Sequence, residues 1–202
     1  FAAMLSNMDD SVGAILKKLR AKNLEENTLI FFLSDNGGPT RELTSSNAPL
    51  REGKGTVYEG GVRVPFLMQW KGTVPKGQTY DKPVISLDLF ATSTALAKAE
   101  VKRPLDGVNI IPYLTGQKKG IPHQTLYWRL GNRTAIRHGD WKLLRNPKRG
   151  KKSAWELYNL TEDVSEEKDL ATIRTDKVDE LLAQWEKLNA KMIDPIWQPN
   201  RK

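Results

Sequence analysis

The stretch FFLSDNGGPT, residues 31–40, changes from apolar to polar at a single point. Residues 28–33 are predicted to form a β-strand covered on both faces, because their apolar character is continuous. Asp35 and Asn36 then place a carboxylate and an amide beyond the carboxyl end of that strand, where open α/β sheets hold their ligands. Two glycines follow, and they permit close approach of backbone or ligand. The stretch predicts either the rim of a binding site or an Asx turn that closes a loop.

The composition is typical of a globular protein. The 202 residues are 39% apolar and 28% charged, and a chain of this length can form one sizeable core or two small ones. No run approaches the roughly 18 apolar residues of a membrane span, so we expect none. Cysteine is absent, which excludes disulfides and thiolate chemistry within these residues.

The net charge of +8 is concentrated in KLLRNPKRGKK, residues 142–152. The run favours a solvated basic loop. Nucleic acid is not an expected partner, because neither aromatic platforms nor a recognisable nucleic-acid-binding module accompany the charge. A sulfated or otherwise anionic polymer remains an alternative partner for this run.

Helices and strands alternate in the first half of the chain, which is typical of an α/β fold. Apolar spacing predicts an amphipathic helix over residues 4–22, with Asn23 as its left-handed stop. A second strand is predicted over residues 62–70, and the polar, glycine-rich loop of residues 37–61 precedes it. Ser86 is predicted to cap a further helix. The apolar residues expected on the buried face of that helix are Leu87, Phe90, Ala91 and Ala95.

Pro, Gly and Lys become frequent around residues 100–122, which predicts a division into residues 1–105 and 106–202. The second part contains three strand-like runs, TLYWRL, TAIRHGDWKLL and WELYNL, with Gly139-Asp140 at a bend in the second run. These runs predict a small antiparallel sheet. Residues 176–192 carry apolar side chains at helical spacing, so we expect a C-terminal helix packed on that sheet.

The stretch APLREGKGTVYEGGVRVPFLMQW, residues 48–70, resembles the second signature region of the sulfatases, in the alkaline-phosphatase-like superfamily. SDNGG, GKGT and EGGVRVP in this order and spacing carry the resemblance, and LDGVNIIPYLTG, GDWKL and ELYNLTED extend it. The chain is most similar to enzymes of the N-acetylgalactosamine-6-sulfatase and arylsulfatase A kind. The resemblance implies the C-terminal part of a mixed α/β sheet flanked by helices, followed by the small antiparallel sheet and helix. It also implies hydrolysis of sulfate esters, expected to be those of carbohydrates.

The resemblance implies metal-binding roles for Asp35 and Asn36, with calcium as the ion. Carboxylate and amide oxygens are the hard ligands that calcium prefers. Lys54 lies between two glycines, and the resemblance implies that it contacts sulfate oxygens and stabilises charge in the transition state. The alternative is that Lys54 is merely a solvated loop lysine. Arg51 also matches a family position and either binds substrate or braces the loop.

Four other charged or titratable residues are expected to be structural. Glu59 and Arg63 flank a glycine pair, and we expect them to pair with each other or with backbone. His123 and His138 are the only histidines, too few for a zinc site. We expect His138 to lie on the surface or to have a hydrogen-bond partner.

Sulfatases take their formylglycine nucleophile from a C-x-P-S-R or S-x-P-S-R segment, and neither occurs here. The resemblance therefore implies the C-terminal portion of such an enzyme, with the nucleophile and the remaining calcium ligands in an N-terminal half. We expect the chain alone to be inactive and to associate with that half or with itself. Calcium takes 6–8 oxygen ligands, so the chain alone should bind it poorly. A periplasmic or secreted location follows from the family alone.

Two other functions remain open. A phosphoryl hydrolase of the same superfamily would be expected to use two transition metals and several histidines, and this chain has two histidines. A non-catalytic module that binds anionic glycans through residues 142–152 is the alternative outside the enzymes.

Overall fold

The computed structural model describes residues 1–40, 45–147 and 153–194. Residue contacts group Phe1–Leu33 with Pro65–His123, and Ser34–Val64 with the described residues from Gln124 onward. The polar loop between the first two strands thus belongs with the C-terminal residues. The division into residues 1–105 and 106–202 stays a prediction about domain organisation.

The chain has an α/β fold, as predicted, and all strand pairs in its described part are antiparallel. None of its described helices combines the length and apolar character needed to cross a membrane. The elements in chain order are α1 (Ala2–Ala21), a 3-10 turn (Glu25–Asn27), β1 (Ile30–Leu33), α2 (Glu59–Val62), β2 (Phe66–Gln69), α3 (Leu87–Leu96), α4 (Ile111–Leu114), β3 (Thr125–Leu130), β4 (Arg133–His138), β5 (Trp141–Arg145), β6 (Glu156–Asn159) and α5 (Thr175–Asn189).

The first unit contains α1 and a two-stranded sheet. Helix α1 is followed by Asn23 in the left-handed conformation, φ +54°, as predicted. Strands β1 and β2 pair with Phe32 opposite Leu67. The expectation that β1 is covered on both faces is wrong for this chain, because none of its residues is buried and Phe32 is exposed. Strand β2 begins at Phe66 rather than residue 62, since residues 59–62 form a helical turn and Pro65 has no N–H to donate.

Helix α3 follows Ser86 as predicted, but of the four residues expected on its buried face only Ala91 is buried. Leu87 and Phe90 are exposed, whereas Asp88 and Thr92 are buried beside Ala91. Ser86 makes no side-chain cap bond. The Asp88 carboxylate turns inward because it has three partners there. They are the N–H of Ile85 at 2.9 Å, the N–H of Val108 at 2.8 Å and Nε2 of His123 at 2.8 Å.

The second unit contains a four-stranded antiparallel meander, β3-β4-β5-β6, as predicted. The bend between β4 and β5 lies at Gly139, whose φ is +59°. One face of this sheet carries Ile136, Leu143 and Leu157, and helix α5 packs on it through Leu181. The prediction of a C-terminal helix on a small sheet is therefore confirmed.

The opposite face of the meander packs on the segment that follows Lys54. Ala135, Leu144 and Tyr158 form a buried cluster with Val57 and Tyr58. This face therefore anchors the glycine-rich loop.

Lys142 also lies on this face, because it alternates with Leu143 along β5, and it is fully buried. The interpretation of residues 142–152 as a solvated basic loop is thus wrong at Lys142. Residues 148–152 of that run lie outside the described residues.

Candidate functional site

The SDNGG turn and the glycine-rich loop are joined through their backbones. The N–H of Gly37 donates to the carbonyl of Gly61 at 3.1 Å, and the N–H of Lys54 donates to the carbonyl of Gly38 at 3.2 Å. A Cβ on Gly37 would overlap the carbonyl of Gly60, so only glycine fits there. The two motifs therefore form one structural unit.

A cavity of about 290 Å³ lies at this junction, and both Asn36 and Lys54 line it. Asp35 is exposed and is not among the lining residues. The structure thus brings Asn36 and Lys54, two of the four residues that the family resemblance singled out, to one cavity. The other lining residues are Gly55, Thr56, Val57, Gly61, Val62, Trp128, Arg129 and Leu130.

The side chain of Asn36 is oriented by its own turn. Its Nδ2 donates to the carbonyl of Gly37 at 3.0 Å, and Ser34 Oγ donates to the carbonyl of Asn36 at 2.7 Å. Both are local turn bonds, but neither is an Asx turn, in which the side-chain oxygen accepts an N–H two residues further on. In the described part of the chain the amide oxygen of Asn36 makes no hydrogen bond, and it can act as an acceptor or ligand. Asn36 can therefore belong to a turn and also lie at the rim of a binding site.

The side-chain oxygens of Asp35 and Asn36 are of the type that calcium binds, but two residues are too few to complete its ligand shell. Their oxygens are hard ligands, and calcium requires 6–8 of them. Within residues 1–40, 45–147 and 153–194, no group of three or more acidic, histidine or cysteine side chains could hold a metal ion. Two residues alone would leave a calcium ion short of ligands, and the metal-binding role of Asp35 and Asn36 stays a prediction.

The backbone that carries Lys54 is held on both sides. Thr56 Oγ1 donates to the carbonyl of Gly53 at 2.8 Å, and Arg133 Nη1 donates to the carbonyl of Gly55. Gly55 has φ +82°, a conformation that favours glycine. Lys54 itself is exposed. The backbone at Lys54 is therefore fixed, and contact of its ammonium group with sulfate stays a prediction.

The contacts of Arg51 hold the loop before Lys54 against Tyr158 and Glu166. Its Nη1 donates to the carbonyl of Glu166 at 2.6 Å and to Tyr158 Oη at 3.0 Å, and its guanidinium lies 4.1 Å from the centre of the Tyr58 ring. Arg51 does not line the cavity of Asn36 and Lys54. These contacts support the bracing interpretation, and a substrate role stays a prediction.

The two tyrosines beside Arg51 share one acceptor. Both hydroxyls donate to Oε2 of Glu156, Tyr58 at 2.8 Å and Tyr158 at 2.6 Å. Burial and these bonds to a carboxylate raise the pKa of Tyr58 and of Tyr158. Both hydroxyls therefore stay protonated donors.

Glu59 and Arg63 pair at 3.9 Å, as expected. Sequence reasoning missed the stronger partner of Glu59, which is Lys142 Nζ at 2.8 Å. A signal was present in β5, where Lys142 and Leu144 share one face by strand alternation. Nothing in the sequence placed that face against Glu59.

The contribution of the end of β3 to the cavity wall was also not predicted from the sequence. Trp128, Arg129 and Leu130 line the cavity, and Leu130 is 55% exposed. Arg129 Nη1 donates to Asn189 Oδ1 at 3.0 Å, which holds its guanidinium on α5. No local pattern relates these residues to Lys54. Neither histidine lines the cavity, and His138 Nδ1 lies 2.7 Å from Thr125 Oγ1.

Two family models match this chain. One, described as Sulfatase, matches residues 1–99. The other, described as N-sulphoglucosamine sulphohydrolase, C-terminal, matches residues 53–194.

Known relatives agree with these matches. Human N-acetylgalactosamine-6-sulfatase is 42% identical over 112 residues, covering 53% of this chain and 22% of the relative. Human steryl-sulfatase is 36% identical over 132 residues, covering 61% of this chain and 23% of the relative. The solved complex of Ps i-CgsB with k-i-k-neocarrahexaose superposes with a TM-score of 0.81 at 34% identity, covering 94% of this chain and 42% of that one. The chain thus spans under a quarter of these curated relatives and about two fifths of the solved structure.

Proposed function

Because this chain belongs to the sulfatase family, we propose that it forms part of the active site of an enzyme that hydrolyses sulfate esters. The observation that carries the proposal is the shared cavity of Asn36 and Lys54. Their loops are joined by backbone hydrogen bonds, which keep the main chains of the two motifs side by side. A pocket with a cation and a hard oxygen donor suits a sulfate group and its counter-ion.

Lys54 is the proposed catalytic residue of this chain. Its ammonium group binds sulfate oxygens and stabilises the negative charge that develops on the ester in the transition state. Asp35 and Asn36 would supply oxygens to calcium, which when bound polarises the sulfate. The partial ligand set requires further oxygens from residues beyond this chain. The formylglycine nucleophile of the family would likewise come from outside these residues, since neither of its motifs occurs in them.

A sulfated carbohydrate is the proposed substrate class. Similarity to N-acetylgalactosamine-6-sulfatase and to a protein solved with k-i-k-neocarrahexaose supports it. Trp128 and Leu130 add apolar surface to the cavity wall, and apolar and aromatic surface can pack on the alcohol part of an ester. A periplasmic or secreted location is part of this proposal, on the basis of family membership.

Substitution of Lys54 tests the function. In the natural protein that contains these residues, Lys54→Ala should lower kcat/KM for an aryl sulfate and for a sulfated monosaccharide by on the order of 100-fold or more. Lys76→Ala, at an exposed lysine of the first unit, is the matched control and should stay within about twofold. Full activity of Lys54→Ala would contradict the proposed role.

The two alternatives are less well supported. Neither histidine lines the cavity, which disfavours the histidine-rich site expected of a phosphoryl hydrolase. Faster turnover of aryl phosphate than of aryl sulfate would reverse that preference. A glycan-binding surface on residues 142–152 would have to exclude Lys142, which is buried.

A further inference from the structure

Two motifs of the resemblance, EGG and GDWKL, have no direct place in the proposed chemistry, yet the structure pairs them. Lys142 of GDWKL is fully buried, and its Nζ lies 2.8 Å from Glu59 Oε1 and 2.9 Å from Glu166 Oε1. A buried charge is costly unless it is paired, and loss of one partner leaves the others uncompensated. Lys142, Glu59 and Glu166 therefore form one unit, the buried triad.

The buried triad holds the start of α2. Glu166 Oε2 accepts the N–H of Glu59, the first residue of that helical turn, at 2.6 Å. Glu166 adopts φ +52°, a left-handed conformation that is uncommon for glutamate. This backbone geometry persists where surrounding contacts impose it. Both carboxylates of the buried triad thus fix the position of one short turn.

Helical turn α2 in turn positions the cavity. Gly61 and Val62 line the cavity together with Asn36 and Lys54. The carbonyl of Gly61 accepts the N–H of Gly37, the residue after Asn36. The N–H of Gly60 also donates to the carbonyl of Arg51 at 2.9 Å, which ties α2 to the loop before Lys54. Each link from Lys142 to Asn36 is therefore a direct contact within one compact unit.

We propose that Lys142 is a positioning residue for the sulfate site, acting through Glu59 and Glu166 on the turn that aligns Asn36 with Lys54. This inference rests on the proposed function. Lys142 is buried beneath the loop and does not line the cavity, so its effect is on geometry. A side chain that merely filled the core would affect the sheet and the site alike.

The test compares Lys142→Met with Leu143→Ala. Leu143 is the next residue of β5, is equally buried, and faces α5 instead of the loop. Two quantities are measured in the natural protein: amide hydrogen exchange by segment, and the Kd for inorganic sulfate by calorimetric titration.

Lys142→Met should accelerate exchange in residues 34–40 and 53–62 and weaken sulfate binding by about tenfold or more. Leu143→Ala should accelerate exchange in α5 and leave the sulfate Kd within about twofold. Equal effects of the two variants on sulfate binding, or unchanged exchange in residues 53–62 of Lys142→Met, would overturn the proposal.

A second variant covers the case in which Lys142→Met does not fold. Glu166→Gly removes the acceptor of the Glu59 N–H, suits the left-handed backbone, and keeps the Lys142–Glu59 ion pair. It should change the same two loop segments in the same direction, and unchanged exchange there would refute the proposal. If the unaltered protein binds no sulfate, the proposed function fails, whereas the exchange measurements still decide the positioning role.

Discussion

Gly37 shows how the site depends on single residues. Its N–H is bonded to Gly61, and the carbonyl of Gly60 occupies the space that a Cβ would need. The residue before it, Asn36, lines the cavity. Any side chain at position 37 must therefore push the SDNGG turn away from the glycine-rich loop.

Gly37→Ala should destabilise the fold by about 1–3 kcal/mol through overpacking and should weaken sulfate binding. Urea unfolding and calorimetric titration measure the two effects.

The matched control is Gly13→Ala on helix α1, where a Cβ would meet no atom within 4 Å. Helix propensity predicts that the control stabilises by about 0.5–1 kcal/mol. If Gly37→Ala bound sulfate as tightly as the wild type, contact between the SDNGG turn and the glycine-rich loop would not be needed for sulfate binding.

The buried carboxyl of Glu166 predicts that the stability of the folded chain depends on pH. Burial raises the pKa of this carboxyl, and the ion pair with Lys142 only partly opposes burial. Between its ordinary and its raised pKa, the folded state binds more protons than the unfolded state, so the free energy of unfolding falls as pH rises through that window. Because glutamine does not ionise, Glu166→Gln should lack the part of the pH dependence of the unfolding free energy that this carboxyl causes. Urea unfolding of both proteins from pH 4 upward measures it, and identical slopes would contradict the assignment.

The two faces of the meander support different parts of the chain, because successive side chains along a strand point to opposite faces. Leu143 and Leu157 face helix α5, whereas Leu144 and Tyr158 face the segment after Lys54. One sheet thereby stabilises the C-terminal helix and supports the site loop. The residues that support the site are therefore distinct from those that hold the helix.

Leu181→Ala, in the contact between α5 and the sheet, tests this separation. Leu181 is 1% exposed, and its truncation should cost about 2–5 kcal/mol. Sulfate binding should remain unchanged under conditions where the variant is folded. Glu186→Ala, at an exposed position of α5, should change stability by no more than about 0.5 kcal/mol. A strong loss of sulfate affinity in Leu181→Ala would show that the two faces are coupled.

At the scale of the whole molecule, the first unit exposes much apolar surface. Helix α1 has no buried residue, and its Met4 and Ile15 are 75% and 62% exposed. Phe32 and Leu67, which pair across the β1–β2 sheet, are also exposed. Large exposed apolar areas mark surfaces that bind other chains or associate.

The 202-residue chain by itself is therefore expected to self-associate, to lack sulfate ester hydrolysis and to bind calcium with a Kd above about 10⁻³ M. Sedimentation velocity, an aryl sulfate assay and calorimetric titration measure these properties. Leu67→Lys should shift the chain toward monomer, because it places a charge in the exposed sheet.

Ile173→Lys alters an exposed apolar residue of the second unit and serves as the control. A monomeric chain that binds calcium tightly would show that the site is complete within these residues.

The family and most of the helices and strands could be predicted from local sequence patterns. Helix α1, the meander and helix α5 follow from periodicities that involve neighbours two to four positions apart, and the SDNGG, GKGT and EGG motifs lie within one short segment. The same patterns placed Asp35, Asn36 and Lys54 on loops. They did not predict which faces are covered, as α3 and β1 show, because burial depends on what packs from elsewhere in the chain.

The contacts between distant residues could not be predicted from the sequence and are seen only in the folded chain. Lys142 and Glu59 are 83 positions apart, and the end of β3 joins the cavity from a separate part of the chain. Alternation along β5 indicates which face Lys142 shares with Leu144, but no local pattern identifies its partner, since each partner alone resembles a surface charge. Lys142 therefore belonged to a basic run in the sequence and lies beneath the candidate site in the folded chain.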